Sequence, residues 1–273
     1  MNRINSALWL PGFLLLLVTS FQKSNLGSPG TRHAASISAF SADTSRPQKT
    51  AIVKISFSNM VKNNKLVLYD SVYTNPFLED YTITKFRYYV SGIFVKNSDK
   101  TYAEKNSFHL VDAADIESQN FLFPIPEGNY TSLNFLLGVD SIHNVSGAQT
   151  DALDPAKDMF WTWNTGYVMA KLEGNSPSST LVNNKYEFHV GGFSGKYNVL
   201  KNIELNFPDN KTIHFAAGKT VHIIIDADVN TWWQNPNDIK ISEHANITAP
   251  GKRALAISDN YGKMFQIKKI IFE

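Results

Sequence analysis

From residue 51 onward the chain alternates apolar and polar side chains with a period of two, and that alternation limits what it can fold into. Ala51, Val53, Ile55 and Phe57 interleave with Ile52, Lys54, Ser56 and Ser58, the pattern of a strand buried on one face. Similar stretches recur at 65–69, 82–95, 108–111, 131–139, 167–172, 185–190, 200–207, 212–215, 220–229 and 264–272, separated by Gly, Asn, Asp and Pro. No stretch carries a sustained apolar stripe at helical spacing, although 226–234 has room for a helical turn. Many short strands without alternating helices predict an all-β fold, a single antiparallel β-sandwich with short helical turns in its loops. No linker interrupts residues 51–273, which read as one domain.

The charge balance narrows the function. Across 273 residues there are 26 Lys+Arg against 24 Asp+Glu, and no basic run exceeds two residues. Counterion-release binding needs a basic stripe, so nucleic acid is not an expected partner. The chain has no cysteine. That excludes disulfides, thiolate zinc, iron–sulfur clusters, cysteine nucleophiles and blue-copper centres. Any metal chemistry rests on nitrogen and oxygen donors.

Residues 1–20 have one cation, Arg3, an apolar run from Ala7 to Val18, and end on Val18-Thr19-Ser20. This predicts a signal peptide, because the apolar run is about 12 residues and a membrane span needs about 20. Residues 21–50, rich in Ser, Gly, Thr and Ala and containing His33, read as a flexible leader. The expected mature chain has no integral membrane segment. Without a lipobox cysteine, it is expected to be periplasmic or secreted.

Several motif-like strings fail on spacing. Gly218-Lys219-Thr220 lacks the upstream glycine of a phosphate-binding loop, which falls at Ile213. Asp226, Asp228 and Asn230 imitate a calcium loop, but Thr231 and Asn237 replace its glycine and bidentate glutamate. Gly192-Phe193-Ser194-Gly195 is not a nucleophile elbow. Asp226 and Asp228 share a strand face about 7 Å apart at roughly 3.3 Å per residue. A glycosidase can use such a separation, although solvated carboxylates are far commoner.

Four of the seven histidines, His109, His189, His214 and His222, sit between apolar neighbours and are expected to point away from the face those neighbours bury. His143 and His244 lie in loop-like surroundings. Imidazole is the remaining good ligand for copper or zinc in a chain without thiols. The densest unusual segment is residues 154–167, DPAKDMFWTWNTGY, where Trp161 and Trp163 project to one face of a strand. Such a pair packs a core, lines a binding platform, or presents oxidisable rings.

The string DALDPAKDMFWTWNTGYVMAKLEG followed by FHVGG resembles the MbnP-like family of bacterial copper-binding proteins. FRYYVSGIFV, FHLVDAAD, LNFLLGVDSIHNVSGA and EHANITAPGKRALAIS extend the resemblance over roughly residues 54–265, particularly to the Bacteroidota form. The resemblance implies an exported β-rich protein that binds copper through histidine and a tryptophan oxidised to kynurenine by a separate dihaem peroxidase-like partner. Carried over, it makes Trp161 and Trp163 the modification candidates, His189 the best-matched ligand and His244 the second. Relatives with an Asn-His pair correspond here to Asn144-Val145, with His143 displaced. Opening an indole to kynurenine adds an aryl amine, and imidazole plus amine suits copper. The chain lacks a cysteine-based haem attachment motif, so the oxidising enzyme is another protein and this one is expected not to be an enzyme. The competing readings are a non-metal interaction or carbohydrate-binding module that stacks rings on Trp232, Trp233 or the Trp161/Trp163 pair, and a hydrolase using Asp226 and Asp228.

Overall fold

The computed structural model describes residues 48–97, 101–104, 107–163 and 166–273. The expected signal peptide, and all but the last residues of the expected leader, lie outside the described residues. Among the described residues no helix is long and apolar enough to cross a membrane.

The strand Thr50–Val61 buries Ala51, Val53, Ile55 and Phe57, as its alternation predicts. On one side it runs parallel to Thr220–Asp228, with Ile52 opposite Thr220 and Met60 opposite Asp228. On the other it pairs antiparallel with Asn120–Pro126. Phe265–Phe272 then pairs antiparallel with Thr220–Asp228 and ends this first sheet.

The second, larger sheet is organised around the long strand Asp80–Lys96. Gly166–Asn175, Lys185–Gly191 and Asn246–Ile247 follow in order on one side. Ser132–Leu137 and Lys201–Asn206 extend the other, and Phe108–Asp112 also pairs with Asp80–Lys96. The architecture is all-β. The expectation of a purely antiparallel sandwich is corrected, because Thr50–Val61 with Thr220–Asp228, and Lys185–Gly191 with Asn246–Ile247, are parallel pairs. Both join strands too far apart in sequence for a hairpin, so nothing local forces them antiparallel.

The inner faces of the two sheets meet through aromatic rings. Phe57 of the first sheet lies 5.9 Å from Tyr88 and 5.8 Å from Phe135 of the second. A 3₁₀ turn, Val229–Trp233, inserts both of its tryptophans into the same core. Trp233 donates its indole N–H to the Tyr81 hydroxyl at 3.0 Å, and Trp232 packs on Phe86 and on Tyr261 of the helix Lys252–Tyr261. Both rings are 0% exposed, which removes Trp232 and Trp233 as a platform for sugars.

Candidate metal centre

The outer face of the second sheet carries the chemistry. Gly166–Asn175 sets Lys171 opposite Arg87 on one neighbour and His189 on the other, while Glu173 lies opposite Lys85 and Glu187. These side chains form rows of charge across three adjacent strands.

Residues 151–161 descend onto this face. Asp154 caps the short turn Pro155–Lys157 by accepting from the Ala156 N–H. Asp158 follows in the left-handed region, φ 59°, where a short polar side chain is tolerated. Three cations from the sheet hold the turn. Lys171 Nζ donates to the Asp158 carbonyl and lies 2.9 Å from its Oδ2; Lys85 Nζ lies 3.0 Å from the same oxygen; Arg87 Nη1 donates to the Lys157 carbonyl at 3.0 Å.

The turn delivers Phe160–Trp161, a two-residue strand that pairs with Gly166–Tyr167. Tyr167 donates its hydroxyl to the Leu153 carbonyl at 2.6 Å and stacks edge-on to Phe160 and Tyr89. Trp161 is 7% exposed and its ring lies on Gly191: a Cβ built there falls 2.5 and 2.7 Å from two ring carbons. Only glycine fits under the indole, which is why the Trp motif and the Phe-His-x-Gly motif need each other. His189 stands two residues before Gly191 on the same strand, pointing outward as expected between buried Phe188 and Val190. Trp163 is 64% exposed, its ring 5.5 Å from that of Trp161.

His189 Nε2 is 2.8 Å from Glu173 Oε1. An ionised carboxylate only accepts, so Nε2 carries the proton in that bond. Burial pushes the Glu173 carboxyl up, but the His189 bond and the charges of Lys85 and Lys171 outweigh it and hold it below the usual glutamate range. Burial likewise opposes ionisation of Asp158, yet Lys171 and Lys85 bring it down to about 2. Lys171 is 2% exposed and loses hydration, which pulls its ammonium below the ordinary lysine value despite Asp158 and Glu173. Lys85, less buried, ends above its ordinary value because the same carboxylates prevail.

The remaining histidines go elsewhere. His244 lies just before the two-residue strand Asn246–Ile247, whose Asn246 sits opposite Glu187 and whose Ile247 sits opposite Phe188. His143 bonds Asp140 Oδ2 at 2.7 Å and contacts Phe108, while its neighbour Asn144 is buried, accepting from the Tyr167 N–H. Val145, which follows it, is exposed. His109 departs from the outward expectation. It shares the inward face of its strand with buried Val111, stacks on Phe121 at 3.9 Å and bonds Glu104. His222 bonds Ser56, and His214 bonds Asn129.

Asp226 and Asp228 both have structural partners: Asp226 pairs with Lys268, and Asp228 accepts from the Lys62 and Asn230 amides. Among the described residues no three His, Cys, Asp or Glu side chains converge in a way that could hold a metal ion. A three-donor metal site at His189 therefore requires a donor outside that set, and the Trp161 ring lies on Gly191, two residues further along the same strand.

A mixed-sheet β domain that seats a tryptophan loop beside a histidine–carboxylate pair defines an all-β protein with one aromatic, nitrogen-donor face. The MbnP family profile matches residues 50–250, and the chain belongs to the MbnP family. The family ties it to copper-associated proteins. The structure of MbnP from Methylosinus trichosporium is similar at a TM-score of 0.48 and 15% identity, over 73% of this chain and 80% of that one. Among the curated proteins none matches.

Proposed function

We propose that this is an exported, non-catalytic copper-binding protein that stores, scavenges or delivers copper, with His189 and the Trp161–Trp163 segment as its site. The observation that carries the reading is the seat of Trp161 on Gly191, two residues from His189. Unmodified indole is a poor ligand. Oxidative opening with dioxygen, followed by hydrolytic loss of formate, leaves kynurenine, whose aryl amine joins imidazole as a nitrogen donor suited to copper. A separate dihaem peroxidase-like enzyme is the proposed catalyst of that opening, and the exposed ring of Trp163 is accessible from solvent. Trp161 is the preferred modified residue and Trp163 the second choice. His244 is the second histidine candidate.

The test is peptide mass spectrometry and elemental analysis of protein purified from its native host. The expected result is stoichiometric copper and a Trp161 peptide in which one carbon is replaced by one oxygen, with copper lost in His189→Ala. Unmodified tryptophans and no copper in the native protein sink the proposal. Copper with unmodified tryptophans moves the site to histidines alone.

A further inference from the structure

We infer that Glu173 is a positioning residue that fixes the His189 imidazole with its Nε2–H bound and Nδ1 as the open donor, and that Lys85 and Lys171 hold Glu173 in that role. The inference rests on reading His189 as a metal ligand and names the atom it offers. A neutral imidazole has one N–H and one lone pair, and the bond made by one nitrogen decides which lone pair is available. Here the 2.8 Å contact between Nε2 and Glu173 Oε1 takes the Nε2 side. Metal-bound histidines commonly donate their second nitrogen to a carboxylate in this way.

Glu173 is itself constrained. Its Oε2 lies 3.4 Å from Lys85 Nζ and its Oε1 3.8 Å from Lys171 Nζ. Glu187, directly across from it, is engaged by the Asn246 side-chain amide at 3.4 Å. Lys171 is the buried member of the group, and it also binds the carbonyl and carboxylate of Asp158, three residues before Trp161. One ammonium thus touches both halves of the proposed site, the tryptophan turn and, through Glu173, the histidine.

The experiment uses the metal-free, ¹⁵N-labelled mature chain at a pH where the imidazole is neutral. Long-range proton–nitrogen correlations identify the His189 tautomer, and proton exchange reports protection of its Nε2–H. A protected Nε2–H in the wild type, kept in Glu173→Gln and lost in Glu173→Leu, is the expected result. An Nδ1–H tautomer, or protection unchanged in Glu173→Leu, overturns the inference. The Trp233 indole N–H resonance verifies that each variant is folded.

Anaerobic Cu(I) titration against a chromophoric chelator follows, on wild type and variants purified metal-free from the native host, where the proposed tryptophan oxidation takes place. Glu173→Leu is expected to bind roughly 10- to 100-fold more weakly, with Glu173→Gln within a few-fold of wild type. Cu(I) that displaces the Nε2 proton overturns the inference. If the wild type binds no Cu(I), the copper reading loses its support, while the tautomer and exchange data still decide the role of Glu173.

Discussion

The molecule holds two tryptophan pairs, and they end in opposite settings. Trp232 and Trp233 are adjacent in sequence, turn on a 3₁₀ segment, and are both fully buried among Tyr81, Phe86 and Tyr261. Trp161 and Trp163 are spaced by two, and only Trp161 is covered. Trp161 rests on glycine, beside charge, while Trp163 stands in solvent. Large aromatic surface explains the first pair as packing. For the second pair packing explains one ring and leaves the other, 64% exposed, without a core to fill. Of the two, the pair that contributes less to the core is the one with access to chemistry.

Breaking the buried pair has the largest expected effect. Trp233→Ala removes a fully buried ring and strands the Tyr81 hydroxyl, and should cost about 3–5 kcal/mol in denaturant unfolding. Gly191→Ala places a methyl inside the Trp161 ring and should cost about 1–3 kcal/mol. Because that strain falls on the indole, iodide quenching of Trp161 should rise in the same variant. Lys171→Met should cost about 1–2 kcal/mol, because the Asp158 carbonyl loses its donor while the carboxylate keeps Lys85 and solvent. Trp163→Ala should change stability by less than about 0.5 kcal/mol, as exposed substitutions do, while altering reaction with the proposed oxidising enzyme.

Acid sharpens the comparison further. Asp158 has its folded-state pKa lowered from 3.8 to about 2 by Lys171 and Lys85. Its contribution is complete above the unfolded value and is lost as pH falls from 3.8 toward 2. The carboxylate is largely exposed, so solvent screens much of this effect. Asp158→Asn should flatten the stability profile over that interval, as followed by urea unfolding at stepped pH. Asp228, which caps the turn carrying Trp232 and Trp233, is shifted the other way, its carboxyl raised by burial, so near-ultraviolet signals from Trp232 and Trp233 should survive acid that already frees the Trp161 turn.

Much of the fold was legible because its strands alternate against a single core. The 220–229 and 264–272 stretches coincide almost residue for residue with strands Thr220–Asp228 and Phe265–Phe272. Residues 65–69 reach only the end of the two-residue strand Asn64–Lys65. Asn120–Pro126 escaped notice because Pro124 and Pro126 argue against a strand, yet its pairing is with Thr50–Val61 alone, and such edge positions tolerate proline. The helix Lys252–Tyr261 was hidden because its buried face mixes Ala254, Ile257 and Tyr261 with Ser258 and Asn260. Asn260 is buried to bond the Trp232 and Asn237 carbonyls, a role hydropathy does not report.

At the site, the two motifs were readable but their connection was not. Glu173 and Lys171 resemble ordinary surface residues of an alternating strand until the register sets them beside His189 and under Asp158.

The parallel pairing of Thr50–Val61 with Thr220–Asp228 has a kinetic consequence. Ile52 and Thr220 are neighbours in space and 168 residues apart in sequence, 220 minus 52. A contact of that span must close a very long loop before it gains any stabilisation, which places such folds at the slow end of the range. The first sheet therefore has to wait for residues near the C-terminus, whereas Gly166–Asn175 and Lys185–Gly191 are joined by a short connection and meet early. Trp161, Gly191 and His189 belong to the quickly assembled part, so the proposed site takes shape while Thr50–Val61 is still without its parallel partner.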